Sequence, residues 1–348
     1  MRKLLNTLFV ISEDSYMILD GENVVIMSGK DILARFPLHT LENILCFSYK
    51  GASPALMGAC AVRNVALSFF TPYGKFLART MGEEPMGEEQ GNVLLRKEQY
   101  RISDCEERSL LFAKNMILGK VYNCRWSIER TIRDHAARVD IEALKKISQE
   151  LQAGMTSITE CDSMENLRGI EGQLAARYFS VFNEMIINQK EDFQFDIRNR
   201  RPPLDRVNAV LSFAYTIVGN DCANALRSVG LDPYVGFMHR DRPGRKSLSL
   251  DLLEEFRGIL ADRFVLTLIN TKALQKDCFT KHDDGAVLLN DKGRKVFLSA
   301  WQNHKKEKIT HPYLKEKVEW GLVPYIQALL LARTIREDLE EYPPFLWK

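Results

Sequence analysis

Glu171, His239 and Glu254 are the residues of this chain whose types and settings point most directly to chemistry. One imidazole with carboxylates suits a hard divalent cation, whereas structural zinc sites recruit thiolates or several imidazoles. Glu171 sits in Arg168-Gly169-Ile170-Glu171-Gly172, within a stretch of helical spacing. A glycine inside a helix costs roughly 0.5–1 kcal/mol relative to alanine, so helix stability does not explain this pair. The glycines would admit another backbone or a phosphate beside Glu171. In the competing reading Glu171 pairs with Arg168 one turn earlier and the glycines serve helix packing.

His239 ends the apolar approach Tyr234-Val235-Gly236-Phe237-Met238, a setting in which histidine is commonly a packed core residue. Its following neighbours weigh the other way. Arg240, Arg242, Arg245 and Lys246 surround Pro243-Gly244, a cationic turn whose guanidinium groups match phosphate oxygens. That points to a polyphosphate such as DNA. Asp251 and Glu254 share one face of a helix, but the same pattern is a capping-box variant at a helix start. Asp251 with Glu255 is the rival pair, so spacing leaves open which glutamate points inward.

A polar stripe of Asn208, Ser212 and Tyr215 runs along an otherwise apolar helix. Buried amides, hydroxyls and phenols need partners, so the stripe is either a helix–helix seam or a row of donors lining a pocket. Arg198, Arg200, Arg201 and Arg206 add positive charge near the start of that helix. A further basic run, Lys305-Lys306-Glu307-Lys308, fits a DNA backbone or a solvated face equally well. His282-Asp283 has no companion ligand set, which argues against an HD-type phosphohydrolase.

The elements that must position these residues fall into two stretches. A length of 348 residues suits two domains at about 100–200 residues each. Residues 1–80 are β-rich: strands are expected at Leu4–Ile11, Tyr16–Leu19, Val24–Met27, Ile32–Phe36, Asn43–Phe47 and Val65–Phe70. One short helix is expected over Ser53–Arg63, and a turn at Thr71-Pro72-Tyr73-Gly74. Residues 81–92 are acidic and glycine-containing, and read as a linker. From 93 to 348 the spacing predicts helices over Leu94–Ile102, Glu106–Ala137, Ile141–Ala153, Cys161–Asn188, Leu204–Gly219, Cys222–Val229, Leu250–Asn270 and Tyr313–Glu340. A hairpin is expected from Ala286–Leu289 to Lys295–Leu298 across Asn290-Asp291-Lys292-Gly293. The apolar tail Pro343-Pro344-Phe345-Leu346-Trp347 fits docking on a partner or packing on the last helix.

Composition narrows the classes. A hydrophobic share of 45% fills real cores, and a net charge of +2 means that any affinity for DNA comes from local clusters. Seven scattered cysteines without a C-x-x-C pair imply reduced thiols in a cytoplasm. No apolar run reaches the roughly 18 residues of a membrane span, and the N-terminus reads as a strand, not a signal peptide.

Taken in order, these motifs resemble one family. Gly91-Asn92-Val93-Leu94-Leu95-Arg96-Lys97-Glu98-Gln99-Tyr100, the Glu171-Gly172 helix, Pro202-Pro203…Asn208…Ser212…Tyr215 and His239…Asp251…Glu254 are similar to the CRISPR-associated Cas-one proteins, the adaptation nuclease-integrases, closest to the I-C-like branch. The resemblance covers essentially the whole chain. It implies an α+β fold, an N-terminal β-sandwich-like dimerisation domain (1–80) followed by a larger all-α catalytic domain (93–348). It implies Mg²⁺ or Mn²⁺ on Glu171, His239 and Glu254, with Asp251 and Tyr215 in or beside the catalytic site. Arg200, Arg201, Asn208, Ser212, Arg240, Arg242, Arg245 and Lys246 would contact DNA. A homodimer and assembly with a Cas-two dimer follow from the same resemblance. The competing class is a non-catalytic DNA-binding scaffold.

Overall fold

The computed structural model describes residues 6–10, 12, 14–63, 65–71, 76–80, 93–199 and 201–348. The expected linker 81–92, the turn residues Pro72, Tyr73 and Gly74, and Arg200 lie outside them. The chain divides into two compact units. One holds the described residues within Met1–Gly91 together with Leu289–Glu307 and Glu319–Leu322; the other holds those within Asn92–Leu288, Lys308–Val318 and Val323–Lys348.

Alternating apolar residues and short turns build the first unit as two sheets. β1 (Asn6–Val10) is followed by β2 (Ser15–Asp20), β3 (Asn23–Ser28) and β4 (Asp31–Pro37). The last three form an antiparallel meander, with Asp20 opposite Asn23 across a two-residue turn. Gly21 takes a positive φ of 58° there, as a tight hairpin requires. β5 (Leu41–Cys46) leads through α1 (Pro54–Val62) to β6 (Ala66–Phe70) and β7 (Phe76–Arg79). The second sheet has the order β1-β5-β6-β7, parallel except for its last pair. Parallel strands need a crossover, which α1 supplies, with the Ser53 hydroxyl accepting from the Leu56 amide at 3.2 Å. Met17, Val24, Ile26, Ile44, Cys46, Leu56 and Leu67 share one core drawn from both sheets and α1.

The second unit is predominantly helical. α2 (Val93–Ser103), α3 (Glu106–His135), α4 (Ile141–Glu160) and α5 (Met164–Ser180) occupy the stretches where helices were expected, with α4 running past Ala153 and α5 stopping short of Asn188. α3 packs against both α4 and α5, and Asp140 and Ser163 cap the starts of those two helices. α6 (Arg206–Ser228) is one helix where two were expected. Gly219 does not break it, because its carbonyl accepts from the Ser249 hydroxyl at 2.6 Å and α7 packs against it. α7 (Ser247–Phe256) passes into a π-helical stretch, Arg257–Asp262, and then α8 (Arg263–Asn270).

Two expectations near the C-terminus are corrected. β8 (Phe279–Lys281) pairs with β9 (Val287–Leu289), and residues 295–298 belong to α9 (Asp291–Lys306), not to a strand. Asn290 accepts from the Gly293 amide at 3.0 Å and so caps a helix where its turn-forming side chain suggested a hairpin. The expected final helix is also shorter. β10 (Lys308–Thr310) and β11 (Lys317–Glu319) form a small ladder, and α10 (Val323–Ile335) begins beside Pro324, whose missing N–H and ring bar a longer helix through it. The tail packs within its own unit: Phe345 is wholly buried, and its carbonyl and the Trp347 amide bond to Asn123 at 2.7 and 3.1 Å.

Candidate functional site

Helical spacing places a lysine where the sequence suggested a metal. Ala113, Met116, Ile117, Lys120 and Cys124 form one buried stripe of α3. The Lys120 ammonium bonds the Glu171 carboxylate from α5 and lies 2.7 Å from Glu254 Oε2 on α7. Arg257, one turn after Glu254, brings its Nε to 2.9 Å from the same oxygen. Lys120 and Glu254 keep only 10% and 5% of their side-chain surface, whereas Glu171 keeps 22% and so forms the solvent side of the cluster. Among the described residues, nothing beyond the chain neighbours and the local helix backbone lies within 4 Å of a Cβ built at Gly169 or Gly172, and both are exposed. Close helix packing therefore does not account for these glycines, and neither shares the Glu171 face of the helix. Arg168 is turned away from Glu171, its Nε donating to the Met238 carbonyl at 3.2 Å.

The electrostatics follow from these partners. Burial pushes the Glu254 carboxyl up, but Arg257, Lys120 and His239 outweigh it and hold the group at about 2. Burial pulls Lys120 down, while Glu254 and Glu171 more than compensate, so its ammonium is held charged. The resident ion pairs thus keep both partners ionised in a low-dielectric place.

His239 is held by Asp251. Asp251 is buried on α7, and its Oδ2 accepts the amides of Phe237 and Met238 at 2.6 and 3.1 Å. Its Oδ1 accepts the His239 amide at 3.0 Å and lies 2.5 Å from His239 Nδ1. This fixes the imidazole and leaves Nε2 as its free nitrogen. Gly236 makes the loop fit, since a Cβ there would stand 2.7 Å from Ser247 Cβ and 2.8 Å from Asp251 Oδ2. Asp251 is therefore a support behind His239, its acceptor capacity already taken.

Tyr215, Asn208 and Ser212 face inward. Asn208 is wholly buried; its oxygen accepts from Arg198 and the Asn199 amide at 2.6 and 3.0 Å, and its nitrogen donates to the Ile197 carbonyl at 2.8 Å and to Asp205. Ser212 accepts from Arg198 at 3.1 Å. Asn208 and Ser212, expected to contact DNA, are engaged with Arg198. The Tyr215 hydroxyl donates to Asp262 at 2.5 Å, and the Arg257 guanidinium lies 4.5 Å from its ring centroid. Burial raises Asp262 to about 6 against the opposing bond from Tyr215 and the charge of Arg257. Lys120, Tyr178, Arg198, Tyr215, Arg257 and Asp262 line a cavity of about 30 Å³, room for a water molecule.

The π-helical stretch that presents Arg257 and Asp262 depends on Gly258. A Cβ there would lie 2.8 Å from Cys124 Sγ and 2.9 Å from the Cys124 nitrogen, so only glycine lets α3 approach this closely. Single-turn π-helical segments recur at functional sites.

Arg240 and Arg242 are exposed, with Arg245 and Lys246 half-buried, on a turn where Gly244 has φ of 74°. Arg201 is exposed as well. In the first unit Lys305 is buried while Lys306 is exposed, and Lys308, in the second unit, is exposed as well. Lys120, Arg257, Asp262 and Arg198 were missed as site residues. A lone lysine on the apolar stripe of α3 and the Glu254-x-x-Arg257 pair are the signals that could have found two of them.

Among the described residues no group of three His, Cys, Asp or Glu side chains closes on a point able to hold a metal ion. Two carboxylates nevertheless converge on the Lys120 ammonium, which stands where a cation is wanted, and the imidazole beside them is oriented from behind. Carboxylates and an imidazole are donor types that divalent ions take.

The family model for "CRISPR associated protein Cas1" matches residues 8–303. A CRISPR-associated endonuclease Cas1 of Chlorobaculum tepidum is 45% identical over 348 residues, covering 100% of both chains. The chain belongs to the Cas1 family. Its fold is shared by a casposase bound to an integration product, with a TM-score of 0.83 at 22% identity, covering 99% of this chain and 95% of that one. It is shared as well by a chain of a Cas6-RT-Cas1–Cas2 complex, with a TM-score of 0.82 at 20% identity, covering 100% of this chain and 36% of that one. The Cas1 fold is thus α+β, a strand-rich N-terminal region followed by a mostly helical remainder. All seven cysteines are free thiols. Among the described residues no helix is long and apolar enough to cross a membrane.

Proposed function

We propose that this Cas1-family chain is a metal-dependent DNA endonuclease and integrase of CRISPR adaptation, of the I-C-like branch. It would insert prespacer DNA into the array by attack of a 3′-hydroxyl on a repeat phosphate. The observation that carries this reading is the convergence of Glu171 and Glu254, from separate helices, on one buried cation beside an oriented His239. Glu171, His239 and Glu254 would hold Mg²⁺ or Mn²⁺, which when bound polarises a phosphate and offsets charge on its non-bridging oxygens.

The remaining chemistry belongs to the chain. Arg257 keeps Glu254 anionic, and Asp251 aims His239 with Nε2 forward. Arg240, Arg242, Arg245 and Lys246, with Arg200 and Arg201, would bind the DNA backbone and make affinity salt-dependent. Transesterification exchanges one phosphodiester for another, so it needs neither a nucleoside triphosphate nor a protein nucleophile. Tyr215, committed to Asp262, would steady Arg257 and not touch the phosphate. Water in place of the 3′-hydroxyl would give cleavage.

Two further features support the assembly. β4 is exposed except at Ala34 and presents Ile32, Leu33 and Phe36, which suits the first unit as a homodimer surface. The shared fold with a chain of a Cas6-RT-Cas1–Cas2 complex supports a Cas2 dimer as partner. A cytoplasmic location suits the free thiols.

The test is joining of 3′-hydroxyl DNA into a repeat-containing plasmid with Cas2 present, in Mg²⁺, Mn²⁺ or EDTA. Metal-dependent product that disappears in folded Glu171→Ala and His239→Ala is the expected result. Product that survives both substitutions overturns the catalytic assignment and leaves a DNA-binding scaffold.

A further inference from the structure

The cluster around Lys120 is already neutral. Lys120 and Arg257 supply two formal positive charges, Glu171 and Glu254 two negative ones, joined by ion pairs, with Glu171 alone on the solvent side. A divalent ion added to that set would leave a surplus of two positive charges in a place where water screens poorly. One resident cation must therefore lose its carboxylates when a metal arrives. Arg257 is poorly placed to do so, since it sits a turn from Glu254 on the same helix and is stacked over Tyr215. Lys120 is better placed: its flexible four-carbon stem ends beside Glu171, the most exposed member of the cluster.

Resting on the metal reading above, we propose that Lys120 is the resident counter-cation of the site and is handed from Glu171 and Glu254 to a DNA phosphate when the metal binds. Metal and DNA then bind with positive coupling. Without DNA, the metal must displace an ammonium that has no other anion to meet. With DNA, a backbone phosphate receives the ammonium and the carboxylates are released. By reciprocity the metal tightens DNA binding by the same factor. The site would stay closed to divalent ions until nucleic acid is present, which limits unprimed cleavage.

The experiment titrates Mn²⁺ into the full chain and reads free ion by its room-temperature paramagnetic resonance signal. It is run with and without a saturating duplex ending in 3′-deoxynucleotides, which cannot supply the attacking hydroxyl, with the duplex checked for cleavage afterwards, and with that duplex alone to subtract its own Mn²⁺ binding. Wild type, Lys120→Met, Lys120→Arg and Glu171→Gln are compared after circular dichroism has confirmed folding. Wild type should bind Mn²⁺ at least tenfold more tightly with DNA. Lys120→Met should bind it tightly in both conditions, with the DNA effect below threefold, and Lys120→Arg should keep the coupling. Equal Mn²⁺ affinity for wild type with and without DNA, both lost in Glu171→Gln, would overturn the exchange and leave the metal site standing. Mn²⁺ binding indifferent to Glu171→Gln in every condition would remove both. If Lys120→Met does not fold, the wild-type pair and Lys120→Arg decide the question by the same criteria.

Discussion

Glu254 and Glu255 are neighbours on α7, both buried, and they stand in opposite ionisation states. Glu254 faces Arg257 and Lys120, and its carboxyl is held at about 2. Glu255 points to the other side, where burial raises its carboxyl to about 8. Its partners are neutral donors: the Tyr342 hydroxyl at 2.5 Å, the Phe345 amide at 2.8 Å and the Gln327 amide nitrogen at 3.0 Å. Equal burial with unequal partners shows that formal cations, not seclusion, decide which carboxylate stays charged. α3 makes the same division in consecutive residues. Lys120 reaches Glu254, while a Cβ at Gly119 would meet Glu255 Cγ at 3.2 Å and Pro344 Cβ at 3.3 Å. One side of this seam is built for charge and the other for packing of the tail.

Removing the charge on each side in turn puts the largest effect on that division. Glu254→Gln should lower the rate of DNA joining by at least about 1,000-fold, beyond the roughly 10–100-fold attributed to a partner behind a metal ligand. Glu255→Gln, which keeps shape and swaps one neutral hydrogen-bonding group for another, should stay within about threefold. Initial joining rates at saturating metal check both. Equal losses in the two variants would mean that the sides are not separable.

Packing on the tail side should respond to size instead. Phe345 is wholly buried against Phe256 and His311, so Phe345→Ala should cost about 3–5 kcal/mol in urea denaturation. The folded variant should still join DNA at a rate within a few-fold of wild type at low temperature. A tail variant with unchanged stability would show that these residues do not belong to the core.

Much of this division could be read from the sequence, and the failures have definite causes. Periodicity located α2 to α5 and the strands of the first unit, because each buries a regular face. It failed where one side chain has two uses. Asn290 caps a helix with the same chemistry that makes a turn, and Gly219 reads as a breaker until α7 supplies a hydroxyl to its carbonyl. Of the site, Glu171, His239, Asp251 and Glu254 were visible as candidates, while spacing alone left Glu254 and Glu255 undecided. Lys120 was missed because a single lysine in an apolar stripe looks like a packing exception until α5 and α7 bring their carboxylates to it. The polar stripe of Asn208 and Ser212 does not disclose its intramolecular partner, here Arg198.

Asp251 offers a smaller and more selective way to sharpen the comparison. It accepts three backbone amides and faces His239 Nδ1, so Asp251→Asn keeps its volume while turning one acceptor into a donor. Mn²⁺ affinity measured with DNA present should weaken by about 10–100-fold, with a loss of about 1–3 kcal/mol in stability. A loss of stability without any loss of metal affinity would reduce Asp251 to a loop anchor.

The smallest expected effect is a pH dependence on the tail side. His311 is wholly buried, its Nδ1 accepting from the Leu314 amide at 3.3 Å and its ring centroid 5.4 Å from that of Phe345. Burial lowers the imidazole to about 4, with Gln327 opposing part of the shift. In the unfolded chain the group returns to about 6.5. The folded form therefore holds the neutral ring while the unfolded chain takes up a proton. Its contribution is complete above pH 6.5 and is lost as pH falls through 4. Linkage sets the loss at about 2 kcal/mol between pH 7 and pH 5. His311→Asn keeps an acceptor for Leu314 and does not titrate, so it should lose stability at every pH through poorer packing yet show a flatter slope over that interval. Every other titrating group, Glu255 included, contributes to both proteins and cancels in the difference of slopes. Urea denaturation at pH 7, 6 and 5 measures that difference; parallel slopes for the two proteins would mean that the folded ring takes up its proton as readily as the unfolded chain does, and that the tail side does not exclude the charge after all.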